Sequence, residues 1–458
     1  MLRRIVPYLV ACAVAVGCAG TAKLTEKSEE KLAEGDAWKA WNLAVRALDK
    51  EPGNPRARDA ATAAGTSIVR EWQRQIRALC EVDTLKAADE VLELTQFREG
   101  AARYATIPVG ETWPEEEEAI RHMAARTHYE RGRDAAAANL PKKAWIEFTD
   151  AELFVPGYRD VVKRAERALR DATTTVAVVP FETHSSDPAL GVDVAKAWRD
   201  DLLQSVTPPR ARFTRVLGAD AVEGNMRVSD LDGLTREQAI RLARKAGAER
   251  VVWGSIGRVH SNTRIDWFRD TVARRVVVRD PEGRESTQWV DVPIEVVARV
   301  RDVKVGVDYE VISVRGGASL ASRHFDRTIS ARVVWTSHHP EGDPASYDLV
   351  SEVTRASNPK RARDVESRWK SVCGDATTLV QVLEARRSTK GSGRGAREAL
   401  PRIAAGAAFV FLEELPSAEE LAYTALTENF SPVRSDLLKL DQVDDAELTV
   451  APAEGRTR

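Results

Sequence analysis

Cysteine is scarce in this chain: Cys12, Cys18, Cys80 and Cys373 are the only four among 458 residues, and none stands in a CxxC pair. That spacing excludes a disulfide-framework fold and a thiolate metal module. Histidine is almost as rare, with seven residues, and no HExxH pattern occurs. The one doublet, His338-His339 before Pro340-Glu341-Gly342-Asp343, reads as a solvated turn, because adjacent residues of extended chain point apart and do not share one ion. A phosphate loop needs Gly-Lys-Ser/Thr at a helix entry. Lys390-Gly391-Ser392-Gly393-Arg394-Gly395 has instead the composition of a flexible linker, and Gly254-Ser255-Ile256-Gly257 is not a nucleophile elbow. Charge of one sign is also missing. The formal net charge is -2, too little to recruit nucleic acid through a global field. The apolar stretches Ile5–Val16 and Ile403–Leu412 fall short of the roughly 20 residues that a spanning helix needs. No catalytic residue, metal ligand or cofactor is therefore nominated. The expected role is non-enzymatic, with a hydrolase whose site is hidden from inspection as an alternative.

The chain does have an export signal in miniature. Met1-Leu2-Arg3-Arg4 places two cations ahead of the apolar stretch, and Ala15-Val16-Gly17 puts small residues before Cys18, where a peptidase must reach the backbone. These four residues resemble a lipobox, although Ala15 stands where that class usually has Leu. The resemblance implies that residues 1–17 are removed and that Cys18 carries the lipid. Ala19, in place of Asp, favours the outer membrane. Several acyl chains anchor stably, each buried methylene contributing about 0.8 kcal/mol. In that oxidising compartment Cys80 and Cys373, nearly 300 residues apart, either pair or stay as two separate buried thiols.

With 43% hydrophobic and 30% charged residues, the remaining chain has globular composition and length for two or three domains. Residues 18–171 are Ala-rich with helical periodicity. Gly35-Asp36-Ala37-Trp38-Lys39-Ala40 is followed by Ala44, Ala47-Leu48 and Pro52-Gly53-Asn54. A second copy sets Gly132 before Ala144, Phe148, Ala151 and Pro156, and Ala40 and Ala144 lie 104 residues apart, close to three repeats of about 34. The pattern is similar to tetratricopeptide repeats, where small residues let paired helices approach closely. Between the copies, Leu85-Lys86-Ala87-Ala88-Asp89-Glu90-Val91-Leu92 and a helix start at Trp113-Pro114-Glu115 keep the helical character. The resemblance implies partner-protein binding. Trp38, Trp41, Trp72 and Trp145 are the candidate partner-binding aromatics, each of which can equally serve the core.

Residues 172–345 change character. Thr173 to Phe181 is a β-branched run with a hard stop at Pro180. A helix over about 190–206, a strand over 212–217, a capping box at Thr235-Arg236-Glu237-Gln238 and a strand over 249–256 follow. Strand, helix, strand, helix, strand predicts an α/β layer. Val176-Ala177-Val178-Val179-Pro180-Phe181 and Ala246-Gly247-Ala248-Glu249-Arg250-Val251-Val252-Trp253-Gly254-Ser255-Ile256 resemble the periplasmic domain of the curli-assembly lipoprotein CsgG and its relatives, which include activators of penicillin-binding proteins. Val290, Val292, Ile294, Val296, Ala298 and Val300 alternate with polar residues and predict a half-buried strand. Separate strands are expected over 309–314, 320–325 and 328–335, with a turn at Gly316-Gly317. The resemblance also implies a second role, because the curli exporter inserts hairpins into the outer membrane. Asp266, Arg269 and Asp270 are costly in hydrocarbon and favour a non-pore relative.

Residues 346–458 read as a helical extension with a frayed tail: one helix over 361–384 carrying Trp369, Val372 and Leu379, the linker, a short apolar helix over 403–412, and a helix opening at Pro416-Ser417-Ala418-Glu419-Glu420. The expected fold is thus multi-domain α+β: a helical repeat array, a central α/β three-layer domain with antiparallel hairpins, and that extension. The expected function is an outer-membrane-anchored scaffold or adaptor on the periplasmic side, held by lipid and binding periplasmic or outer-membrane proteins. An oligomeric export-channel subunit is the alternative.

Overall fold

A computed structural model describes residues 20–227, 230, 233–336, 338–375, 377–384, 415–428 and 431–442. Cys18, residues 1–17, the linker at 390–395, the stretch 403–412 and the tail beyond 442 lie outside the described residues. The chain is a mixed α and β protein whose described residues fall into two units, 20–172 and 173–442.

The first unit is helical: α1 (Thr21–Ala33), α2 (Ala37–Lys50), α3 (Pro55–Cys80), α4 (Thr84–Ala101), α5 (Trp113–Ala137), α6 (Pro141–Phe154) and α7 (Val161–Ala172), each packed on the next. Side chains set the starts. Asp36, Asn54 and Asp83 accept hydrogen bonds from Lys39 N, Ala57 N and Lys86 N, which satisfies donors that a helix N-terminus leaves free. The small residues Ala40, Ala44, Ala47, Ala144 and Ala151 are fully buried. A Cβ at Gly132 would stand 2.7 Å from the Phe148 ring, so α5 and α6 meet where glycine leaves room.

The second unit contains β1 (Thr174–Val178), β2 (Glu182–Thr183), α8 (Ala189–Ser205), β3 (Thr214–Val216), α9 (Ala219–Glu223), α10 (Arg236–Lys245), β4 (Arg250–Ile256), β5 (His260–Arg279), β6 (Glu285–Ser313), β7 (Ser319–Thr336), β8 (Tyr347–Asp348), α11 (Glu352–Ser357), α12 (Pro359–Cys373), α13 (Leu379–Glu384), α14 (Ala418–Thr427) and α15 (Ser431–Asp441). β1 lies parallel between β3 and β4, and β4 pairs antiparallel with β6. Alternation along β1 sends Val176 and Val178 toward α8, and Ala177 and Val179 toward α10, so helices cover both faces. The capping box at Thr235 and Gln238 forms as expected.

The strands after β4 are fewer and longer than their residues suggest. The stretches expected at 290–300 and 309–314 are one strand, β6, of 29 residues, and those at 320–325 and 328–335 are one strand, β7, of 18 residues. Charged residues that look like loop are cross-strand pairs: Lys304 with Asp326 at 3.2 Å, and Asp302 with Arg264. Opposite charges facing each other stabilise continuous pairing. Pro293 is tolerated because β6 pairs with β5 alone at that point, its ladder to β7 beginning at Val296.

The chain after Tyr347 completes this unit. α12 and α13 are two helices where one was expected, separated at Gly374 with φ +86°, and Trp369, Cys373, Leu379 and Val382 pack with Val296, Val300 and Val334. Buried Arg332 donates to Val372 O at the end of α12, where a helix favours positive charge. α14 and α15 join α8 over the opposite apolar face. Trp198 Nε1 donates to Leu426 O at 2.9 Å, and Asp441 accepts from Arg212 N and Phe213 N at 2.9 and 2.8 Å.

Asp436 of α15 accepts from Tyr309 Oη and Arg323 Nε, both at 2.8 Å. The Arg323 hydrogen bond, with that of Tyr309, holds its carboxyl below the ordinary value against the opposing effect of burial. A depressed folded-state pKa contributes stability that is present above the unfolded value of about 3.9 and lost as pH falls through the folded value. The expected result is a urea midpoint that drops below about pH 4, with Asp436→Asn lowering the unfolding free energy already at neutral pH by about 1–3 kcal/mol. Identical acid profiles for variant and parent overturn this assignment.

Candidate partner-binding face of the helical unit

The structure brings three of the four predicted tryptophans together and sets the fourth apart. Trp38 on α2, Trp72 on α3 and Phe97 on α4 meet with ring centroids 5.3 to 6.1 Å apart. Trp41 lies behind them, 5.4 Å from Phe97 and 7% exposed. It belongs to the core beside Gly65, where a Cβ would stand 3.2 Å from its ring. Trp145 is half-buried in the smaller cluster around Ala144, Phe148 and Val161. Trp38 is 50% exposed and presents an open aromatic surface on a cluster that cannot move away, because edge-on rings hold it from behind.

Carboxylates border this cluster. Trp72 Nε1 donates to Glu90 Oε2 at 2.6 Å. Glu90, Glu93 and Phe97 follow at helical spacing on α4, so they share one face. Loss of water around the group, then the charges of Glu90 and Asp89, push the Glu93 carboxyl above its usual range. Asp89 is raised for the same first cause, opposed by His128 and reinforced by Asp83 and Glu90. Farther along, His128 Nδ1 lies 2.8 Å from Glu147 Oε2, and its ring stacks on Phe154 with centroids 5.5 Å apart. Asp150 is raised by burial, with His128 opposing that and Glu147 and Asp89 adding to it. α4 and α6 therefore turn acidic side chains toward His128 of α5. Sequence reasoning missed Asp89, Glu90, Glu93 and Phe97; their i, i+3, i+4 spacing beside a tryptophan-bearing helix was the available signal.

Cys80 and Cys373 are both free, and burial pushes the Cys373 thiol up to about 12, which leaves it unreactive. In the sheet unit, the place where an open α/β sheet usually takes a ligand, beyond the carboxyl ends of strands at the switch in their order, is filled by the protein itself. Phe181 is fully buried there, and β2 pairs beside β4. Gly191 and Gly233 bring backbone against Phe181 O. Among the described residues no group of three or more His, Cys, Asp and Glu is arranged to hold a metal ion, and no helix is long and apolar enough to cross a membrane.

No protein-family model and no curated protein matches the chain. Among solved structures it is similar to a lipoprotein from Neisseria meningitidis, at 13% identity over 42% of this chain and 99% of that one, with a TM-score of 0.18. A likeness of that size carries no argument about fold or role.

Proposed function

We propose that this protein is an adaptor tethered by lipid at Cys18 to the periplasmic face of the outer membrane, where its helical unit binds proteins of envelope assembly. The observation that carries the binding role is the exposed Trp38 on a fixed aromatic cluster, since aromatic anchors held rigid lose little entropy on association. The small-residue helix contacts support the tetratricopeptide-like reading of that unit. The β-α-β-α-β order of the second unit supports the CsgG-like one. The filled strand-end crevice supports binding in preference to catalysis. A photoreactive residue in place of Trp38, irradiated in cells, is expected to give discrete adducts with envelope proteins, and absence of any adduct overturns the adaptor role. Cys18→Ala is expected to move the protein from the membrane to the soluble fraction, and retention of the variant in the membrane argues against the lipid tether.

A second reading is favoured by one observation. β5 and β6 continue as a hairpin, 269–279 against 285–295, beyond the start of β7 pairing, with β8 joining β5 only at Ala273 and Arg274, as an inserting hairpin of an export channel would. Arg269, Arg275, Arg279, Glu285 and Asp291 occupy one face and Arg274 the other, so neither face offers the 9–11 apolar positions that lipid requires. Native mass in detergent separates the two: a monomer or dimer supports the adaptor, and a large ring supports the channel.

A further inference from the structure

One face of β5, β6 and β7 is covered over part of its length and open beyond. Val303, Val305 and Val307 of β6 share a core with α14 and α15, as do Ile329 and Ala331 of β7. Side chains alternate along a strand, so Arg301, Arg299 and Val297 continue that face. The register sets Thr263 and Ala331 beside Arg301, Ile265 and Val333 beside Arg299, and Trp267 and Trp335 beside Val297. The last two of these rows stay open among the described residues: Ile265 and Trp267 are 62% and 61% exposed, and Val297, Val333 and Trp335 are half-buried. Single exposed apolar residues need no explanation, but contiguous ones across adjacent strands mark a surface that something occupies. Arg299 stands within that surface, exposed and in no ion pair among the described residues. Burial, then the charge of Arg299, lowers the Arg301 guanidinium from its ordinary value, and Glu419 and Glu420 oppose that.

Residues 385–414 lie outside the described residues, and the chain resumes beside this surface. α13 packs with Val296, Val300 and Val334 on the other face, so the chain leaves that face after Glu384 and returns on this one at Leu415, which packs against the core under α14. Arg301 Nη1 donates to Pro416 O, which puts Pro416 next to the open rows. Just ahead of Leu415 the sequence reads Phe409-Val410-Phe411-Leu412-Glu413-Glu414, the end of the apolar stretch Ile403–Leu412. From Arg301 to Val297 is about 14 Å along the strand. Chain from Pro416 back to Phe411 spans up to about 17 Å, so these apolar residues reach the open rows and the glutamates reach Arg299. We propose that Ile403–Leu412 occupies this face, its Phe409, Val410 and Phe411 covering Ile265, Trp267 and Trp335, with Glu413 and Glu414 meeting Arg299. An apolar run answers the apolar rows, and carboxylates follow where the surface carries a cation. A second copy or a partner segment could bury the same rows, but the stretch joined to Leu415 docks within one molecule and has the advantage of effective concentration.

Hydroxyl-radical footprinting of the full chain, read by mass spectrometry, reports side-chain exposure at Trp267 and Trp335 directly. Both are expected to be protected, to a degree independent of protein concentration. Phe409→Asp with Phe411→Asp should raise oxidation of Trp267 severalfold, while Trp198, fully buried in the covered core, stays protected and shows that the unit is folded. Arg299→Glu should raise it in part, and adding Glu413→Arg with Glu414→Arg should restore protection, because exchanging the charges repairs a direct pairing. Failure of that restoration overturns the meeting of the glutamates with Arg299. Free oxidation of Trp267 in the purified parent overturns the proposal, and protection that then appears only in cells assigns the face to a partner. Protection that survives Phe409→Asp with Phe411→Asp overturns it too: loss on dilution would assign the face to a second copy, and persistence on dilution to another part of the chain.

Discussion

Trp198→Ala is expected to destabilise the sheet unit by about 3–5 kcal/mol. The indole is fully buried and stands at the meeting point of three parts of the chain. Its ring lies edge-on to Phe181 at 5.0 Å and to Tyr309 at 5.7 Å, and stacks on Phe325 at 6.3 Å. Its Nε1 donates to Leu426 O, so truncation opens a large cavity and strands a buried carbonyl, two costs that add. Trp198→Phe keeps an aromatic body and loses the donor, and should cost about 1–3 kcal/mol. Hydrogen exchange read by mass spectrometry gives the test its resolution. Protection should fall in α14 and in β6 while α3 and α4 keep theirs, because the helical unit has its own core. Equal loss in both units means that the side chain acts otherwise than through this core.

Local signals foretold local structure here. The capping box at Thr235 forms, and the helix expected to open near Ser417 does so with a capping box of its own, because such signals need only residues three apart. The buried alanines at 40, 47, 144 and 151 follow from helical spacing for the same reason. What failed was long range. Nothing near Asp436 announces that it meets Tyr309, 127 positions earlier, so the segment after Tyr347 looked like an extension when it closes the sheet. The long strands β6 and β7 were cut into pieces because Asp302, Lys304 and Asp326 look like loop residues until their partners across the sheet are known. Trp38 and Trp41 are three positions apart and differ in exposure from 50% to 7%. Periodicity placed both on one helix, and only the packing of α3 and α4 decides which is core and which faces solvent. The carboxylates of α4 were unremarkable for a similar reason: acidic residues on a helix are usually solvated, and the hydrogen bond that Trp72 donates to Glu90 is a property of the assembled unit.

The position of Gly191 sets two opposing effects against each other, and their magnitudes decide the sign of its substitution. It lies inside α8, where alanine exceeds glycine in helix propensity by about 1 kcal/mol, so propensity alone predicts that Gly191→Ala stabilises. A Cβ there would stand 2.2 Å from Phe181 O, roughly 1 Å inside ordinary contact for carbon and oxygen. The obstacle is backbone, in the segment that also donates Phe181 N to Gly191 O at 3.2 Å, and it cannot rotate away as a side chain would. Overpacking of this kind costs about 1–3 kcal/mol and sometimes more, so α8 must lift from the strand end and the net change should be destabilising by about 2 kcal/mol. Gly100 is the control. It is exposed near the end of α4 with nothing within 4 Å of its ideal Cβ, so Gly100→Ala should stabilise the helical unit by about 0.5–1 kcal/mol. Opposite signs in chemical denaturation, with the loss at position 191 confined to the sheet unit, are the expected pair of results. A stabilised Gly191→Ala would mean that Phe181 is not wedged between α8 and the strand ends, and the closed crevice on which the non-catalytic reading leans would then be open.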